Sequence, residues 1–156
     1  MHLEYERLNN TNSDLHLHRI FNGCGPGTHL FWRGLSGSDD LGWAGITLCL
    51  AYQITGRKEY LSSPKKCNGA RGAVQFFEEM ERGYLDKGEG IFWDKGRTYK
   101  ASISNSLYME LAGALYEITG EERYVEVALE TEKWFFSKEL NLVSEDFEVL
   151  DGYRPA

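Results

Sequence analysis

Two carboxylates stand side by side at Asp39-Asp40, at the head of a stretch running from Ser36 to Gly56. Adjacent residues on a helix point about 100° apart, so two such side chains diverge slightly while their carboxyl groups stay within several ångströms. A pair of carboxylates can cleave a glycosidic bond, one acting as acid and base while the other attacks or activates water. Their separation is about 5–5.5 Å in enzymes that retain configuration and about 6.5–9.5 Å in those that invert it. Adjacency favours the shorter class. Carboxylates in a first helical turn also complement the helix dipole, by about 0.3–1 kcal/mol, and the pair taken alone favours that plainer reading.

The stretch that positions the pair reads as a helix. Ser38 is an N-cap candidate, acidic residues fill the first turn, an apolar run follows, and Gly56 sits where a C′ residue belongs. A second helical segment opens at Arg57 to Tyr60, is interrupted near Pro64 and Gly69, and continues from Ala73 to about Arg82. Two more helices are predicted, Ser104 to Thr119, stopped by Gly120, and Glu121 to Ser137, with Tyr124, Val125, Leu129 and Trp134-Phe135-Phe136 on its apolar side. Between the helices, Gly83 to Ser102 has no helical period and is rich in Gly, aromatic and charged residues; structureless loops of that length are usually functional or disordered, and its aromatics argue against disorder. Leu140 to Gly152 alternates as a short hairpin or extended tail would.

The helices carry a repeat. Ala51-Tyr-Gln-Ile-Thr-Gly-Arg-Lys-Glu-Tyr60-Leu61 matches Leu115-Tyr-Glu-Ile-Thr-Gly-Glu-Glu-Arg-Tyr124-Val125, with Tyr, Ile, Thr, Gly and the second Tyr in register. A helix that ends in Tyr-x-Ile-Thr-Gly and turns tightly into another helix is an αα-hairpin, and hairpins repeated in this way build toroids or solenoids.

Composition bounds what the site acts on. The chain has 156 residues, 42% hydrophobic and 26% charged, which fits one globular domain with a core. Its 13% aromatic share is high, and aromatic faces suit the flat apolar faces of sugars or bases. A net charge of −7 leaves no footprint for nucleic-acid binding, and a neutral or cationic ligand is expected. No apolar run approaches the roughly 18 residues of a membrane span, and Met1 to Asn10 lacks the apolar core of a signal peptide. The three cysteines show no paired spacing: Cys49 reads as a small buried hydrophobe, while Cys24 and Cys67 could pair in an oxidising compartment. The cluster Gly23 to Gly27 reads as a plain loop, His16 and His18 as solvent-facing, and Asn9-Asn10-Thr11 as a formal glycosylation sequon.

The sequence resembles glycoside hydrolase family 76, the α-1,6-mannanases. The resemblance rests on Asp39-Asp40-x-Gly-Trp43, on the Tyr-x-Ile-Thr-Gly turns, and on Gly90-Ile-Phe-Trp-Asp-Lys95 followed by Tyr99-Lys100-x-Ser-Ile-Ser-Asn105. It covers Ser38 to Gly152. It implies an all-α fold, an (α/α) barrel or toroid of helical hairpins whose inner helices line a cleft for mannan, with neither metal nor cofactor. It implies endo-acting cleavage of α-1,6-mannan with retention, Asp39 as nucleophile and Asp40 as general acid/base. Trp43 would belong to the substrate site, Trp93 and Tyr99 would stack on sugar rings, and Asp94, Lys100 and Asn105 would meet hydroxyl groups. The family is typically secreted or wall-associated.

The sequence also departs from the family. An aromatic is usual where Ala44 stands, and a Cys-Gly-Gly-Gly lead-in is usual where Lys87-Gly88-Glu89-Gly90 stands. Members are longer, because a closed ring needs more hairpins than this chain carries. The expected organisation is an irregular segment 1–37, a partial barrel 38–152 with a long aromatic loop, and a tail 153–156. An inactive piece that binds manno-oligosaccharide, or takes part in mannan transglycosylation, is the alternative function. Another α/α-toroid enzyme, such as a sugar epimerase, would need histidines on inner helices, and none of the four falls there. Unpaired helix flanks of an open toroid are expected to drive self-association. Expressed alone, the chain should run as oligomer or aggregate in size-exclusion chromatography with light scattering, and a monodisperse, cooperatively melting monomer would refute this.

Overall fold

The computed structural model describes residue 35 and residues 37–62 and 71–155. The Gly23–Gly27 cluster, the four histidines, the Asn9 sequon, Cys24, Pro64, Cys67 and Gly69 lie outside the described residues. Among the described residues there are four helices, α1 (Ser38–Thr55), α2 (Ala73–Tyr84), α3 (Ser102–Thr119) and α4 (Glu122–Phe135). A 3-10 turn spans Lys58–Tyr60, and two short strands, β1 (Lys100–Ala101) and β2 (Gly152–Tyr153), pair antiparallel. The fold is all-α. The helical segment expected to open at Arg57 is only that 3-10 turn, and α3 starts two residues earlier than the apolar pattern suggested.

The repeated motif is one hairpin device used twice. Gly56 and Gly120 both take φ 70, the left-handed conformation, and their N–H groups bond Tyr52 O at 2.7 Å and Tyr116 O at 2.8 Å. The preceding threonine completes the stop. Thr55 donates its hydroxyl to Ala51 O and Thr119 to Leu115 O, and each hydroxyl accepts the N–H two residues on, from Arg57 and Glu121. The second tyrosine then plunges into the core, with Tyr60 and Tyr124 both fully buried. Left-handed backbone costs an L-residue about 1–2 kcal/mol, which is why each turn spends a glycine.

Two glycines set the spacing of the central helices. A Cβ at Gly42 would lie 2.7 Å from Leu107 Cβ, and one at Gly45 would lie 2.5 Å from Leu111 Cδ2. Both sequence numbers rise together across these contacts, so α1 and α3 run parallel, backbone close to side chain. Helix α2 packs on α1 and α4 on α3, so each hairpin contributes one central and one flanking helix. Around the seam Leu41, Leu48, Phe76, Met80, Leu111 and Leu115 are buried, and Phe77 stacks on Tyr108 with ring centres 5.1 Å apart. Cys49 is buried here as a small hydrophobe, and burial pushes its thiol up to about 12. Ala44 is also in this core, at 4% exposure.

Helix α4 corrects one expectation. It buries Tyr124, Thr131, Trp134 and Phe135, while Leu129 and Phe136 stay more than half exposed. Leu129 lies five residues past Tyr124, about 140° round the helix at about 100° per residue, off the stripe that faces α3.

The glycine seam is testable. Gly42→Ala meets a Cβ that no rotamer can move, whereas Gly45→Ala meets only the end of Leu111. Gly42→Ala should lower stability by about 1–3 kcal/mol with no relief from Leu107→Ala, which keeps the clashing atom. Gly45→Ala should couple favourably with Leu111→Ala in a double-mutant cycle. Urea unfolding of the singles and doubles reads both.

Candidate active site

The start of α1 is tied to the aromatic loop by a residue that was expected to do something else. Ser38 is not the N-cap. Gly37 occupies that position, and Ser38 is the first helical residue, fully buried. Its N–H bonds Trp93 O and its hydroxyl donates to Phe92 O, both at 2.8 Å. Gly37 makes room, because a Cβ there would lie 2.3 Å from Asp39 Oδ1. Trp93 returns the connection, its indole Nε1–H donating to Asp39 Oδ1 at 3.1 Å.

This junction brings several of the expected site residues together. Asp39 is half-buried and Asp40 exposed. Trp43, 55% exposed, follows one turn along α1 and so shares their face. Trp93 is 42% exposed. A groove of about 380 Å³ opens here, lined by Leu35, Gly37, Trp93, Asp94 and Lys95. Asp94 folds one oxygen back onto the Gly96 N–H at 2.7 Å. Tyr84, which no sequence pattern singled out, lies buried at the end of α2. Burial first, then the charges of Glu79, Asp94, Asp40 and Asp39, push its phenol up, so it stays a protonated neighbour of the acidic group.

The loop itself is tightly folded. One turn is closed by Asp86 N–H to Gly90 O at 2.9 Å and Glu89 N–H to Asp86 O at 2.8 Å, and a second by Trp93 N–H to Tyr99 O at 2.8 Å. Asn105 clasps the first turn from α3. Its Oδ1 accepts the Ile91 N–H at 2.8 Å, and its Nδ2 donates to Ile91 O and Ala101 O. Gly90, at φ 75, is required because a Cβ would lie 2.3 Å from Asn105 Oδ1.

Lys100 and Asn105, expected to meet sugar hydroxyls, turn inward instead. Both are fully buried, and their polar atoms are taken up by the protein. The Lys100 ammonium meets Asp86 Oδ2 at 2.8 Å, Glu89 O at 2.9 Å and Glu89 Oε2 at 3.3 Å, between the rings of Phe92 and Trp134. Arg97 covers the other aromatic contact of Phe92 and donates to Leu85 O at 3.1 Å. Tyr99 is half-buried rather than a bare platform. It donates its hydroxyl to Asp151, and the Arg154 guanidinium lies 5.1 Å over its ring. The segment after α4 pins this region, with Ser102 N–H bonding Asp151 O at 2.8 Å and Lys100 paired to Tyr153. Among the described residues no group of His, Cys, Asp and Glu is gathered that could hold a metal ion, and no helix is long and apolar enough to cross a membrane.

If Lys100 and Asn105 are scaffold, their loss shows in stability. Lys100→Met keeps the stem and removes the ammonium, and should cost about 1.5–3 kcal/mol and speed amide exchange at Ile91 and Trp93. Asn105→Asp turns two donations into carboxylate–carbonyl repulsions and should cost more. Unchanged unfolding midpoints for both would return them to the sugar-facing role.

Comparison with known proteins gives this arrangement its context. The profile of glycosyl hydrolase family 76 matches residues 25–155. An α-1,6-mannanase of a Salegentibacter species superimposes with a TM-score of 0.62 at 27% identity, over 78% of this chain and 33% of that one. An inactive variant of that enzyme, with two consecutive aspartates replaced by asparagine, is in complex with α-1,6-mannotriose, and matches at 26% identity and a TM-score of 0.62. The family 76 α-mannanase of Bacteroides thetaiotaomicron gives 0.63 at 25% identity, over 76% of this chain and 31% of that one. No curated protein sequence matches. The chain thus spans about a third of the length of the enzymes it resembles. With the family profile covering most of its residues and its two hairpins superimposing on these barrels, the chain belongs to glycosyl hydrolase family 76.

Proposed function

We propose that the protein is an endo-acting α-1,6-mannan hydrolase that retains anomeric configuration, with Asp39 as nucleophile and Asp40 as general acid/base. The observation that carries this reading is the junction at the start of α1. There, consecutive carboxylates sit beside a groove lined by Trp93, whose indole bonds Asp39, and a second exposed indole, Trp43, follows one turn along the helix. Trp93 donates to one oxygen of Asp39 and so orients the carboxylate, leaving Oδ2 without a protein partner among the described residues. The positive end of α1 favours negative charge at that position.

In the first step Asp39 attacks the anomeric carbon while Asp40 gives its proton to the departing glycosidic oxygen, so the C–O bond breaks as the glycosyl ester forms. In the second, Asp40 takes a proton from water, the hydroxide oxygen bonds to the anomeric carbon, and the Asp39 carboxylate leaves. Two inversions at one carbon give net retention. Trp43 and Trp93 supply apolar faces for mannose rings, the half-buried ring of Tyr99 supplies a further face, Asp94 supplies a hydrogen-bonding partner, and the acidic chain tolerates a neutral polymer. A wall polysaccharide as substrate puts the work outside the cell or at the wall. Retention of mannan without turnover is the second reading, since the two indoles would hold a saccharide whether or not the acids act.

Release of reducing ends from α-1,6-mannan tests both. Asp39→Asn and Asp40→Asn should each lower kcat at least about a hundredfold. On an aryl manno-oligosaccharide, whose leaving group departs without a proton, azide should restore turnover in an Asp40→Ala variant with retained configuration in the glycosyl azide. Activity that survives both asparagine changes removes the pair from catalysis, and mannan binding without product release that is lost on Trp43→Ala or Trp93→Ala selects the second reading.

A further inference from the structure

A second groove lies on the segment that follows α4. The hairpin between Leu142 and Leu150 is closed by Leu150 N–H to Leu142 O at 2.8 Å, and its tip by Ser144 N–H to Glu148 O at 2.9 Å and Phe147 N–H to Ser144 O at 3.0 Å. This turn places Phe147 at φ 62. Glycine and asparagine are at home in that region, and a bulky aromatic is an outlier there. The same phenyl ring is 86% exposed, so packing among the described residues does not explain its presence. Phe136, 59% exposed at the end of α4, faces the same groove of about 450 Å³, which Ser137, Lys138, Asn141 and Glu145 complete. Asn141 is likewise left-handed, at φ 49.

We infer that this groove is a non-catalytic binding site for a neutral polysaccharide chain. Two exposed phenyl groups offer surface to the apolar faces of sugar rings. The side chains of Lys138, Asn141 and Glu145 have no hydrogen-bond or ion-pair partner among the described residues and are free to meet hydroxyl groups. Lys138 and Glu145 cancel in charge, and Asp146 and Glu148, flanking Phe147, turn anionic polymers away. The groove shares no lining residue with the one at Trp93. It would hold the polymer that the acidic pair cuts, so the choice of mannan rests on the proposed function while the site itself does not.

Affinity electrophoresis of the whole chain through gels containing α-1,6-mannan tests it, alongside thermal melting and hydrolysis of a short manno-oligosaccharide. Phe147→Gly relieves the backbone strain and removes the ring. It should weaken retardation by mannan roughly tenfold, leave Tm equal or raised, and leave oligosaccharide hydrolysis unchanged. Phe136→Ser should also weaken retardation. Retardation of Phe147→Gly equal to that of the unaltered chain overturns the inference, as does a fall in Tm accompanying the loss. If Phe147→Gly instead converts a dimer to a monomer with retardation intact, the ring serves self-association and the inference fails. Phe147-dependent retardation without any hydrolysis would sink the proposed catalysis and leave this site standing.

Discussion

The buried ammonium of Lys100 holds the candidate site in shape. Taking such a charge out of water costs several kcal/mol, and the attraction of a close carboxylate returns that only when the geometry is complete. Here it is nearly so, with Asp86, the Glu89 carbonyl and carboxylate, and two aromatic rings surrounding the group. The net gain of such an arrangement is small, but the loss of any one partner is not. Its effect is therefore positional. It allows one course for residues 86–92, which places the carbonyls of Phe92 and Trp93 where Ser38 can bind them.

From that anchor the site follows in sequence. Ser38 fixes where α1 begins, so Asp39 and Asp40 fall in its first turn, and Trp93 meets Asp39 because its own backbone is bound next door. Asn105 performs the equivalent task at the start of α3 by clasping Ile91. One loop is thus held by the N-terminal ends of two parallel helices, and the Gly42 and Gly45 seam keeps those ends together. The geometry of the acidic pair depends on helix spacing as much as on its own residues.

Some of this was legible in the residues. The αL glycines at 56 and 120, the threonine stops and the buried second tyrosines are local chemistry within a few positions, and the repeat announced them twice. The family motifs announced the membership that the profile match shows. Lys100 and Asn105, expected to meet sugar hydroxyls, are instead buried and bonded within the protein, because a polar side chain in a motif carries no mark of which way it points. Ser38 is not the cap for the same reason, since its partner lies 54 residues away.

What the amino-acid order determined by itself was where helices stop, which residues could form hairpins, and which carboxylates stand together, because each depends on backbone and side-chain chemistry a few bonds apart. What only the tertiary structure decided was which polar groups are consumed inside and which are left for a ligand. Burial is a property of neighbours brought from 14 to 54 residues away, as with Asn105 on Ile91 and Ser38 on Phe92. Their approach is set by helix packing, to which no short stretch of sequence has access.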